Sequence, residues 1–154
     1  MGKTYLFIVA LCCVFFSEAQ TYEYQVITSV ESIIPSGTGR SRLISTNEAR
    51  NYQDFTSQRT DGKNVKDKRN KSDRSEIRVK NFEETKLLNF FNIAGIRFQN
   101  IAANDAVITS KINTMSSNGW ELAFVTSAVE SDAGKDDGKG IFITRYIFKK
   151  LKEE

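Results

Sequence analysis

From Tyr22 to Val30 the side chains alternate. Tyr22, Tyr24, Val26, Thr28 and Val30 share one side, and Glu23, Gln25 and Ser29 share the other with Ile27. A period of two is the signature of an extended chain with one face turned inward, so this stretch predicts a half-buried strand. Pro35-Ser36-Gly37-Thr38-Gly39 then reads as a loop, because Pro fixes φ and the glycines accept positive φ. Leu43-Ile44 predicts a short second strand paired with the first. Apolar residues nearly vanish after Phe55 and return at Phe82. From Phe82 to Phe98 they are dense. Positions 84, 87, 88 and 91 have helical spacing, with Asn81 as a possible N-cap and Gly95 as a stop, while the Phe and Ile content also suits a strand. The spacing tilts this stretch slightly towards helix.

The strongest helical pattern runs from Asp105 to Asn118. Ile108, Ile112 and Met115 recur on one face, Asn104 or Asp105 can cap the start, and Asn118-Gly119 supplies a left-handed stop. Trp120 to Val129 is apolar on both sides (Trp120, Leu122, Phe124; Ala123, Val125, Val129), which predicts a central strand. A Gly- and Asp-rich loop follows from Glu130 to Gly140. Ile141 to Lys150 alternates again, with Phe142, Tyr146 and Phe148 on one side and Arg145 and Lys149 on the other. The last two strands are close in sequence and predict an antiparallel hairpin. Together these elements predict an α+β fold, a small antiparallel sheet of three to five strands with one principal helix packed on one face.

Residues 1–19 change the picture, because they read as a cleaved export signal. Lys3 provides a short positive region, Tyr5 to Phe16 an apolar run of 12 residues, and Ser17-Glu18-Ala19 small residues flanking a cut before Gln20. A retained membrane helix needs about 20 apolar residues, and polar sequence begins at Ser17. A lipoprotein signal would want a small residue before Cys12 or Cys13, where Leu11 and Cys12 stand. The expected mature chain, residues 20–154, is a single domain destined for the periplasm or the exterior, with no transmembrane segment. It contains no His and no Cys. Small exported eukaryotic domains rely on disulfides, so a thiol-free one points to a bacterial setting, where the sequon Asn70-Lys71-Ser72 is a chance match.

Three segments in order carry a family likeness: Tyr22-Glu23-Tyr24-Gln25-Val26-Ile27, then Gly119-Trp120-Glu121-Leu122 after a helix, then Tyr146-Ile147-Phe148-Lys149-Lys150. The chain resembles a small bacterial domain of unknown function (DUF four-one-seven-seven type), whose pattern is an opening Y-E-Y-K-V strand, a helix, G-W-E-L and a closing basic strand. The resemblance implies a helix on a short antiparallel sheet and implies no activity. The stretch between about Pro35 and Asn100 departs from the short family form. The motif Gly119, Trp120, Glu121 and Leu122 also has a physical reading: Gly ends the helix, Trp anchors the core, Glu faces water and Leu returns inward.

Reactive chemistry is scarce. Without mature His or Cys there is no zinc-protease helix, thiol nucleophile or Ser-His pair, and no Ser stands three residues before a Lys. Gly37-Thr38-Gly39 opens a phosphate-loop pattern, but position 42 is Arg. Glu83-Glu84 reads as a helix's first turn and Asp136-Asp137 as a solvated loop. Asp132, Asp136 and Asp137 fail calcium-loop spacing, since Gly134 stands at position 3 and Asp137 where Gly is required. No metal and no cofactor are expected. Arg59 to Lys80 holds nine basic residues against four acidic ones, a local charge of +5 within a chain of +3. This reads as a charged, flexible insert near 56–76, with Lys63, Lys66, Lys68, Arg69, Lys71 and Arg74 as weak candidates for gripping an anionic polymer. Nucleic acid is disfavoured because no aromatic is interleaved for base stacking. The expected function is a non-catalytic binding or structural module, its partner unknown but of the envelope or exterior. It would act through a sheet edge or the insert. The anionic-polymer binder and a carboxylate-based hydrolase are the alternatives.

Overall fold

β1 (Tyr22–Ser32) forms the middle of a five-stranded antiparallel sheet. The computed structural model describes residues 20–34, 41–59, 72–130 and 140–152. β2 (Arg42–Ser45) pairs with one side of β1, and β7 (Ile141–Leu151) with the other along its whole length, Tyr22 opposite Leu151 and Ser32 opposite Ile141. β3 (Glu83–Lys86) adds to β2 and β6 (Glu121–Glu130) to β7, so the strand order is β3-β2-β1-β7-β6. β4 (Phe91–Asn92) and β5 (Gly95–Ile96) make a separate two-residue ladder. The principal helix, α2 (Phe98–Ser117), packs on one face, and a one-turn helix, α1 (Arg74–Ile77), lies in the long connection. The α+β architecture is the predicted one.

The cross-strand register sorts every side chain to a face. Gln25, Ile27, Ser29 and Glu31 stand opposite Phe148, Tyr146, Thr144 and Phe142, and Leu43 and Ser45 join them from β2. This is the face under α2. Its core is Ile27, Leu43, Leu87, Ile108, Met115 and Phe148, with Val107, Ile112, Trp120 and Tyr146 packed against it. The stripe Ile108, Ile112, Met115 therefore meets the sheet as its spacing predicted. Gly119 takes φ +83, ends α2 as expected and turns the chain into Trp120.

Four expectations need correction. The helix begins at Phe98, not Asp105, and its cap is Arg97 rather than Asn104 or Asp105. Asn104 is instead inside the helix and buried, its amide engaged by groups beyond the helix. The stretch 82–98 is not a helix. It holds β3 and the β4–β5 ladder. Tertiary partners take the main chain of its middle, with Leu87 N–H donating to Ser41 O and the Leu88 peptide bonded to Asn104, while Arg97 N–H donates to Phe90 O within the segment. Gly95 is no helix stop but a positive-φ residue of that small ladder. Finally, β6 is an edge strand. β7 pairs fully with β1 on one side, so its hairpin partner is left outermost. Of the insert near 56–76, residues 60–71 lie outside the described residues.

Candidate functional site

Three places hold the chemistry of the described residues. The first is a cluster of buried polar side chains beside the core, where β1 meets α2. Glu31 is only 6% exposed. Its carboxylate accepts a hydrogen bond from Asn104 Nδ2 at 2.9 Å. The same amide donates to Leu88 O at 2.7 Å and accepts from Leu88 N–H at 2.8 Å, so one side chain ties helix, strand and connecting loop together. Burial raises the Glu31 pKa above the ordinary carboxylate value. The Asn104 bond offsets part of that, and the charge of Asp105 adds to it. Tyr146 is likewise raised, first by burial and then by Glu31 and Asp105. Ser29 Oγ is fully buried and meets no partner at hydrogen-bonding geometry, although its dipole favours the ionised forms of both neighbours. Ser41 Oγ extends the network, accepting from Ser32 N–H and donating to Asn89 Oδ1.

The second place is a hollow of about 350 Å³ lined by Ser45, Thr46, Asn47, Glu48, Asn81, Phe82 and Glu83. Two carboxylates share it, which is the arrangement a hydrolase would need. Both are held below the ordinary value, Glu48 chiefly by Arg50 and the Asn81 backbone, Glu83 by Lys111 and Ser45. An acid–base pair needs its two pKa values pushed apart. Here both groups are pushed the same way, each by donors that already engage it. Glu83 and Glu84 are neighbours on β3 and face opposite sides: Glu83 reaches Lys111 on α2 at 2.8 Å, and Glu84 pairs with Arg42 on the far face. Their expected place in a helical first turn is thus overturned.

The third place is the sheet face away from α2, with the adjoining edge. Tyr22, Tyr24, Val26, Thr28 and Val30 lie there, opposite Leu151, Lys149, Ile147, Arg145 and Ile143, and Phe124, Thr126 and Ala128 continue the row on β6. Tyr24 is 65% exposed, Val26 44% and Phe124 61%. The alternation in β1 is therefore real but inverted in burial. Its aromatic and β-branched side is open, and the side carrying Gln25, Ser29 and Glu31 is under the helix. Lys149 on this face is occupied, 3.3 Å from Glu121 and over the Tyr22 ring. Arg145, midway along the face between Thr28 and Thr126, is exposed and makes no ion pair among the described residues.

Of the residues singled out from sequence, Arg74 is exposed in α1, while Lys63, Lys66, Lys68, Arg69 and Lys71, like Asp132, Asp136 and Asp137, lie outside the described residues. In the Gly119–Leu122 motif, Trp120 packs on the core as expected and Glu121 faces solvent, but Leu122 stays 39% exposed because β6 is an edge. Sequence reasoning passed over Glu31, took Asn104 only for a helix cap, and gave Arg145 no role. The first two had a visible signal: Glu31 follows Ile27 and Ser29 by alternation, and Asn104 lies one turn before Ile108 on the helix's apolar stripe. No group of three or more potential metal ligands occurs among the described residues, and no described helix is long and apolar enough to cross a membrane. No family model, no curated protein and no solved structure matches the chain.

Proposed function

We propose that this chain is an exported, non-catalytic binding module that presents its open sheet face to a protein partner. One observation carries the reading. Tyr24, Val26, Ile147 and Phe124 form a contiguous apolar row on a sheet face that nothing covers among the described residues, while the polar side of the same strands is buried. Apolar patches of this kind mark interaction sites on soluble proteins. Arg145 in their midst supplies specificity, since an exposed guanidinium inside an apolar surface selects a partner with a carboxylate in the matching position. The absence of His from the whole chain and the lowered pKa values of both Glu48 and Glu83 support a role without turnover. The leader at residues 1–19 supports export, to be checked by N-terminal sequencing that starts at Gln20.

Site-specific photo-cross-linking tests the docking face. A photoreactive side chain at Tyr24, Val26 or Phe124 is expected to trap one foreign protein in cells, and Arg145→Glu to abolish the adduct. The same probe at Thr109, exposed on the outer surface of α2, should trap nothing. Equal labelling from position 109, or an adduct indifferent to Arg145→Glu, would overturn the reading.

A further inference from the structure

The two edges of the sheet are built differently. β3 is four residues long, and three of them, Glu83, Glu84 and Lys86, are charged. Short length and charge are how natural sheets block strand addition. β6 has ten residues, every one exposed, and carries no charge between Glu121 and Glu130 and no Pro anywhere. Leu122, Val125 and Val129 stand out on the helix side and Phe124 on the open side. Its one irregularity, a bulge between Leu122 and Phe124, is confined to the first residues and leaves 124–130 regular. Moreover, the strand has the pattern of a central strand, apolar on both faces, yet sits at an edge. That pattern is satisfied only when another strand lies beside it.

We propose that the occupant is β6 of a second copy, antiparallel about a two-fold axis at Ser127, joining two five-stranded sheets into one of ten strands. Same-face pairing across such an axis requires residue numbers that sum to an even value, because opposite residues in an antiparallel pair share a face. The register that uses all of 124–130 sets Val125 opposite Val129 of the second copy on the helix side, and Thr126 opposite Ala128 on the open side. Phe124 then stands opposite Glu130, so no two like charges face each other. A preformed strand of the same chain brings no ordering cost, which a foreign extended peptide would have to meet on binding. Stacking two open faces about a shared central axis would instead bring Arg145 against Arg145. Because β3 rejects strand addition, β6 cannot chain onto it to grow an open filament, and the assembly closes at two copies. This inference goes beyond the docking face and does not depend on it, since edge pairing leaves Tyr24, Val26 and Arg145 free on one continuous surface.

Ser127 is the residue that meets itself, which makes the register testable by charge exchange. The full chain, purified as the cell processes it, would be followed by sedimentation velocity from about 1 to 200 μM, the range of a small single-strand interface. The mass is expected to rise towards twice that of one chain. Ser127→Lys and Ser127→Glu, each exposing like charges to itself across the axis, should each weaken association roughly fivefold or more. Their equimolar mixture should recover it, which also shows that both variants fold. A single-chain mass at all concentrations, a dimer that Ser127→Lys leaves unchanged, a mixture that fails to recover, or open-ended growth would each overturn the proposal. Dimers without cross-links from Tyr24 or Val26 would leave it standing and remove the docking face instead.

Discussion

Glu31→Gln is expected to stabilise the protein at neutral pH and to leave it unchanged near pH 4. The Glu31 carboxyl is 6% exposed and its pKa is raised, first by burial. A raised acidic pKa means that the folded state binds the proton more tightly than the unfolded chain, so stability falls as pH rises through the interval between the two values. Below the unfolded value of about 4.3 both states are protonated, and nothing is lost. Above the folded value the whole penalty is present, about 1.4 kcal/mol for each unit between them. Gln keeps the shape and the acceptor for Asn104 Nδ2, and its own amide brings a donor towards Ser29 Oγ, which now has no partner. What it forfeits is the charge assistance in the Asn104 bond, which already enters the folded pKa and so is contained in the rise. The assay is urea unfolding of both proteins at half-unit steps from pH 4 to 8.5. The stability difference should start near zero or slightly against Gln, climb in favour of Gln, and level off. The pH at which it levels marks the folded pKa of Glu31, and the height of the rise must agree with that pKa at about 1.4 kcal/mol per unit. A difference that is flat across the range, or a Gln variant that grows relatively weaker as pH rises, would refute the argument that Glu31 is ionised at a desolvation cost.

Glu48 should give the opposite profile. Its pKa is lowered, chiefly by Arg50, so its contribution is present above the unfolded value and lost as pH falls through the folded one; Glu48→Gln should weaken the protein at pH 7, and the difference should shrink as the same titration is carried into acid. Phe148→Ala removes the largest sealed side chain, 1% exposed, and is expected to cost about 3–5 kcal/mol by chemical unfolding, a loss large enough to threaten folding altogether. Gly119→Ala places a Cβ at φ +83 and 3.4 Å from Lys150 Cε, and is expected to cost about 1 kcal/mol, seen as a drop in Tm of a few degrees.

The strands and the main helix could be read from periodicity because each has one face that the fold uses. Tyr22 to Val30, Ile141 to Lys150 and the Ile108, Ile112, Met115 stripe are all where the pattern placed them. Which face is buried could not be read, because alternation specifies two sides and not their direction. For β1 hydrophobicity alone points to the wrong one, since Glu31 is tolerated inside by a neighbour from a remote segment, Asn104 at a separation of 73 residues. The seven residues by which α2 was read short have a related cause. Asn104 and Asp105 are good caps in isolation, and only the contact with Leu88 explains an Asn in mid-helix. The segment 82–98 defeated local reasoning for the same reason, since β2, Ser41 and Asn104 hold its first half and only the short β4–β5 ladder is local to it. At the candidate site, the row on β1 was visible as a pattern, but its opening to solvent was not.

Two features of the chain conflict with its burial when a single copy is considered, and they conflict in the same direction. β6 has the composition of an interior strand at an edge, and β1 and β7 turn their Tyr, Val and Ile side outward. A patch of isolated apolar groups would need no account, since much of any protein surface is apolar. Here the exposed groups are ordered by strand register into one row and end at one unblocked edge, while the opposite edge is short and charged. Random exposure would not separate the edges in this way, and a sequence shaped only by monomer stability would place charge on β6 as it does on β3. The two conflicts would be answered separately, by the proposed second copy along β6 and by the proposed partner across the open face. Covering β6 alone would restore the strand to the central place its pattern describes, and would align two rows of Tyr24, Val26, Ile147 and Phe124 with an Arg145 in each. A partner with two-fold symmetry would then engage both rows at once, with the gain in avidity that a doubled site brings.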